Sequence, residues 1–215
     1  MKERPILFTP ENAQKSHDGL KTETRRLNGL EQFNAQPDRW RLEGDTFVFD
    51  GGFEYVPVPR CPYGGVGDRL WVREAWRVTG GKEYEYQQRI EDVHYRGDIN
   101  ESIEFGPAKW RPSIHMPRWA CRTVLELTGV RVERLQDCSE ADARAEGAAF
   151  VCELCGCDLD TDHGAAVHFA CDDPDCERAS HREGFMRLWE SINGAGSWDA
   201  NPWVWVLEFR RVTHG

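Results

Sequence analysis

Gly19-Leu20-Lys21-Thr22-Glu23-Thr24-Arg25-Arg26 puts a primary amine, a hydroxyl and two guanidinium groups on one short segment. Upstream of it, Ile6-Leu7-Phe8 reads as a short strand. Thr9 is a good helix N-cap, Pro10 fits the first helical position, and Glu11 suits the positive helix end. The helix these residues open ends at Gly19, a natural C-terminal stop. Residues 20–26 therefore emerge extended, ahead of the first long loop, where site residues concentrate. The segment reads as one wall of a pocket for a nucleobase or nucleotide.

The elements downstream are short strands with few helices. Trp40–Glu43 and Thr46–Phe49 flank Gly44-Asp45 as a hairpin. Arg69 to Trp76 begins with strong apolar alternation and marks a strand. Residues 77–109 are polar and without clear period, apart from a short strand at His94-Tyr95-Arg96. Trp110 to Trp119 holds two prolines and is rigid and non-helical. Arg122–Leu127 and Val130–Gln136 read as two strands joined at Thr128-Gly129. Ser139 to Gly147 is a helix with a capping box, Ser139 with Asp142. Arg182 to Asn193 has the period of an amphipathic helix with Phe185, Leu188, Trp189 and Ile192 on one face. Trp203 to Phe209 is a closing strand. This order predicts an α+β fold, a small partly open β-barrel flanked by helices and not a doubly wound sheet.

Composition sets the bounds. The 215 residues are 40% hydrophobic, with nine Trp and ten Phe, enough for one aromatic-rich core. No run of eighteen apolar residues exists, and the charged N-terminus is not a signal peptide, so a cytoplasmic protein without a membrane partner is expected. The net charge of −10 is uneven. Residues 131–215 hold 17 acidic against 8 basic side chains, which leaves the N-terminal part nearly balanced. A local basic groove there survives the acidic total. Arg outnumbers Lys by 22 to 5. Arg is the better fork for phosphate, while Lys alone gives up its proton readily when buried.

Residues 150–181 stand apart. Cys152-x-x-Cys155-Gly156 is followed, fifteen residues on, by Cys171-x4-Cys176. Two thiolate pairs at this spacing make a closed tetrahedral site, which is a structural zinc site and not a catalytic one. Cys157, His163, His168 and His181 are spare ligands. The segment also carries eight acidic residues against one Arg. So negative a patch repels a phosphate backbone, and it reads as a strut or a protein-contact module.

Gly19-x-Lys21-x-x-Thr24-x-Arg26 resembles the signature of ASCH domains, a branch of the PUA-like barrel superfamily. The Gly67-Asp68-x-Leu70-x-Val72 strand, the helix ending Ala145-Glu146-Gly147, the helix at Phe185–Asn193 and the terminal Trp-Val strand follow in the family's order. Trp110–Trp119 and Ser197–Trp203 are similar to a phage and prophage subgroup. The resemblance does not cover the cysteine-rich segment. It implies a PUA-like barrel of residues 1–149 and 182–215 with an inserted zinc-binding ribbon at 150–181. It also implies binding of RNA or a modified nucleoside. One branch of the family is a 4-acetylcytidine amidohydrolase using a Lys, a Thr and a Glu, which by motif position are Lys21, Thr24 and Glu146 here. Another is a metal-dependent ribonuclease. For that activity no carboxylate pair stands at metal-site spacing outside the acidic insert.

The chemistry of those residue types fits the first branch. A Thr hydroxyl is inert alone, but a neutral Lys amine beside it takes its proton and makes it a nucleophile. Glu146 would pass the proton on or hold the base ring. Arg25 and Arg26 would anchor phosphate, with Arg73, Arg118 and His115 completing the binding set. Arginines interleaved with Trp71, Trp76, Trp110 and Trp119 suit a single strand, guanidinium for phosphate and rings for stacking. The plainer alternative is a non-catalytic nucleic-acid-binding module, in which Lys21 contacts phosphate and Thr24 is an ordinary strand residue.

Overall fold

The computed structural model of the chain describes residues 1–78, 93–98, 109–152 and 179–212. The architecture is mixed α and β, with many short strands and few helices. The chain divides into two compact units. One comprises residues 1–22, 63–129 and 208–215, the other residues 23–62 and 130–207. The division thus falls at Thr22 and Gly129, inside the segment expected to form one barrel.

In the first unit, β1 (Glu3–Leu7) runs parallel to β6 (Arg69–Arg73), with Glu3 opposite Arg69 and Leu7 opposite Arg73. β6 pairs antiparallel with the start of β9 (Val124–Arg134), Leu70 opposite Leu125. Helix α1 (Pro10–His17) begins where expected: Thr9 Oγ1 accepts from the Asn12 amide at 3.3 Å. It ends at Asp18, and Gly19 takes the left-handed turn at φ 78°. β7 (Trp76–Val78) pairs with β8 (Val93–Tyr95). Trp76, Val78, Tyr95, Met116, Ala120 and Val124 close the core of this unit. The proline-bounded stretch forms two single 3-10 turns, Ser113–His115 and Arg118–Ala120, in place of a helix.

In the second unit, β2 (Glu23–Arg26) lies beside β12 (Trp203–Arg211). β3 (Trp40–Glu43), β4 (Thr46–Phe49) and β5 (Tyr55–Pro57) form a second sheet, and the Gly44-Asp45 hairpin is as expected. Short helix α2 (Glu31–Asn34) buries Phe33, stacked on Phe47 at 3.7 Å between centroids. Helix α3 (Glu140–Ala145) has the expected capping box: Ser139 Oγ accepts from the Asp142 amide, and Asp142 accepts from the Ser139 amide. Helix α4 (His181–Asn193) buries Phe185 and Trp189 against Leu135, Ala143, Trp198 and Val204.

Two expectations are corrected. β9 is one continuous eleven-residue strand, not two strands broken at Thr128-Gly129. Gly129 does not turn there; it makes room, since a Cβ would come within 2.5 Å of Glu208 Oε2. Ile192 is 53% exposed and not on the core face of α4, because that face is narrowed to Gly184, Phe185 and Trp189. Gly184 is needed for this approach: a Cβ there would lie 2.1 Å from the Ala149 carbonyl oxygen.

The two edges of the cysteine-rich segment pair with each other. β10 (Val151–Cys152) pairs antiparallel with β11 (Ala179–Ser180), Val151 opposite Ser180. Cys155, Cys171 and Cys176 lie outside the described residues, with Cys157, His163 and His168. Among the described residues no helix is long and apolar enough to cross a membrane.

Candidate functional site

Strand β2 has a period of two, so Glu23 and Arg25 share one face and Thr24 and Arg26 the other. Glu23, Thr24 and Arg25 are all nearly inaccessible. A buried guanidinium needs compensation, and Arg25 has four carboxylates around it. Its Nη1 stands 2.7 Å from Glu23 Oε1 and 3.2 Å from Glu146 Oε1. Its Nη2 donates to Glu133 Oε1 at 2.6 Å and lies 3.7 Å from Asp142. Arg131 adds a second cation, 3.0 Å from Glu133 and 3.6 Å from both Glu23 and Asp142. The Phe185 ring covers the guanidinium at 5.5 Å.

The electrostatics follow from this crowding. Burial works against the charge on Arg25, but Glu146, Cys138, Glu23 and Glu133 together raise its pKa above the ordinary arginine value. Burial pushes Glu23 up to about 7, helped by Asp142 and Glu146 and opposed by Arg25 and Arg131. Burial likewise pushes the Cys138 thiol up to about 12. Burial would raise Asp142, but its two Ser139 hydrogen bonds and the nearby arginines hold it below the usual range.

Arg25 is thus occupied by carboxylates. Glu146, the C-cap of α3, is a counter-ion of Arg25 and so belongs to the face of β2 opposite Thr24. Lys21 belongs to the first unit, 2% exposed, with its amine over the Phe8 ring at 5.8 Å. Thr24 belongs to the second unit and is 3% exposed. Arg26 is half-buried.

Three other predicted binding residues do come together in the first unit. Arg73 and Arg118 hold their guanidiniums over the Trp71 ring at 5.4 and 6.0 Å. Arg73 Nη2 also donates to the Ile114 carbonyl, next to the exposed His115. Arg118 forks onto Glu3 at 2.7 and 3.0 Å. Trp71 and Arg73 are two apart on β6 and so share a face.

Glu74 is the residue that sequence reasoning missed. It is 1% exposed, and Arg122 forks onto both its oxygens at 2.9 and 2.8 Å. Arg122 also binds Asp98 and Gln14 and lies over the Tyr95 ring at 4.1 Å. Burial raises the Glu74 pKa against the pull of Arg122. The only sequence signal was an acid placed directly after an alternating strand.

Among the described residues no group of three or more His, Cys, Asp or Glu side chains is arranged to hold a metal ion. His181, expected as a spare zinc ligand, starts α4 with Nδ1 at 2.9 Å from the Ala148 carbonyl oxygen. No family model matches the sequence, and no curated protein and no solved structure matches it either.

Proposed function

We propose that this protein binds RNA or a modified nucleoside through the first unit, on a PUA-like barrel of the ASCH kind. The observation that carries the reading is the grouping of Arg73 and Arg118 over Trp71, beside exposed His115. An indole with guanidinium planes on it is a stacking surface for bases, each stacked base contributing about 1–3 kcal/mol. The test is a mobility-shift titration with single-stranded RNA at low salt. Binding should weaken with rising salt and fall about tenfold or more in Trp71→Ala and Arg118→Glu. No shift with single strands or duplexes would overturn the reading.

A second reading, hydrolysis of an N-acylated cytosine, is favoured by the burial of Lys21 at 2% and Thr24 at 3%. A lysine that only touched phosphate would keep its amine in water. By the roles the resemblance implies, Lys21 takes the Thr24 hydroxyl proton as the oxygen bonds to the amide carbonyl, the C–N bond breaks as the departing amine takes up that proton, and water then cleaves the acyl-threonine ester. Release of cytidine from 4-acetylcytidine, followed by absorbance, tests it; turnover that survives Lys21→Ala and Thr24→Ala counts against it.

The insert is read as a structural zinc ribbon held by Cys152, Cys155, Cys171 and Cys176, its acidic surface serving a protein partner. The pairing of β10 with β11 supports this by bringing the two ends of the insert side by side. We place the protein in the cytoplasm.

A further inference from the structure

Arg118, one of the two cations over Trp71, is already held by an anion of the chain itself. Its Nε donates to Glu3 Oε2 at 2.7 Å and its Nη2 to Glu3 Oε1 at 3.0 Å, so the fork is closed on one carboxylate. Glu3 stands opposite Arg69 across the parallel β1–β6 ladder, and Arg69 and Trp71 are two apart, so the carboxylate is on the same face of the sheet as the ring. A guanidinium fork takes carboxylate and phosphate oxygens in the same two-bond geometry. Glu3 therefore fills the position that a ligand phosphate would take at Arg118. The pair is open to exchange. The Arg118 and Glu3 side chains are 45% and 38% exposed, so both return to water at small cost. Arg122 is the contrast in the same unit: it forks onto Glu74, whose side chain is 1% exposed, and that pair cannot open without stranding a buried charge.

We propose that Glu3 is a specificity-determining residue of the first unit, an internal competitor that RNA must displace from Arg118 in order to bind. The inference rests on the RNA reading above. A carboxylate carried by the same fold acts at an effective concentration on the order of millimolar or higher, so a dilute free anion does not displace it. An RNA strand brings more than an anion. Its bases stack beside the phosphate, and the stacking offsets the loss of the Glu3 contact. Glu3 thus rejects ligands that offer negative charge alone and admits those that offer charge and an aromatic plane together.

The experiment is a mobility-shift titration of the full chain with single-stranded RNA, wild type beside Glu3→Gln, Arg118→Gln and the double variant. Glu3→Gln keeps the shape of the side chain and gives up its charge. It should bind RNA about two- to fivefold more tightly, the share that an exposed ion pair withholds. That gain should vanish in the Arg118→Gln background, where nothing is left to compete for. Inorganic phosphate should inhibit RNA binding at lower concentration in Glu3→Gln than in the wild type, and equal inhibition overturns the selectivity. Affinity unchanged or lower in Glu3→Gln, with the wild type binding, overturns the competitor role and leaves the RNA reading standing. A gain that persists without Arg118 overturns it as well, as a change in the surrounding field only. No binding by any of the four proteins overturns both. Should the variants not fold, side-chain NMR of the labelled wild type decides: saturating RNA should move both the Arg118 Nε and the Glu3 carboxyl-carbon resonances. A Glu3 resonance that stays fixed while RNA is bound overturns the proposal.

Discussion

Arg25 Nη1 bridges Glu23 and Glu146, 2.7 Å from one carboxylate and 3.2 Å from the other, across 121 residues of sequence. It ties the short strand β2 to the end of α3 through a guanidinium with no exposed surface. Removing one side of such a buried network leaves the other side uncompensated, which costs more than the network contributes when intact.

Arg25→Met should therefore destabilise the fold by about 3–5 kcal/mol, since four carboxylates lose their shared counter-ion. A lower urea midpoint with an unchanged m-value would show it. A loss under about 1 kcal/mol would mean that water already reaches the site.

Glu74→Ala should cost a similar amount, about 3–5 kcal/mol, because Arg122 would keep only Asp98, Gln14 and the Tyr95 ring. Replacing Arg122 as well, by Met, should recover part of the loss. Thermal unfolding of the two single variants and the double variant measures the coupling.

Gly184→Ala is a one-carbon change on α4 with a large expected effect. The new Cβ would press on the Ala149 carbonyl oxygen, which belongs to backbone and cannot swing aside. About 1–3 kcal/mol of destabilisation is expected, read as a drop in thermal midpoint. The same change at Gly129 meets the Glu208 carboxylate, the far end of a flexible side chain, and should cost less.

Metal analysis of the purified chain should find one zinc per chain. Cys155→Ser with Cys171→Ser should abolish it, leaving unchanged the RNA binding proposed for the first unit. Loss of RNA binding in that variant would instead tie the insert to nucleic acid.

The local elements were legible because their signals are local. Thr9 and Pro10 start α1, Ser139 with Asp142 caps α3, and Gly44-Asp45 turns the β3–β4 hairpin, each by contacts a few residues apart. Two residues were harder to read. Gly129 looked like a turn because Gly usually supplies a positive φ, whereas here it supplies space for Glu208. Ile192 fitted the helical period but lies beyond the part of α4 that packs.

The candidate site divides in the same way. Sequence by itself marked Lys21, Thr24, Arg25 and Arg26 as a segment dense in polar chemistry, and alternation from Arg69 marked the strand that carries Trp71 and Arg73. It could not assign partners. Whether a guanidinium meets phosphate or carboxylate depends on which distant residues fold against it. Glu133 and Glu146 reach Arg25 from 108 and 121 residues away. Only the tertiary structure enclosed Arg25 among four carboxylates, because burial and charge pairing depend on everything packed around a side chain.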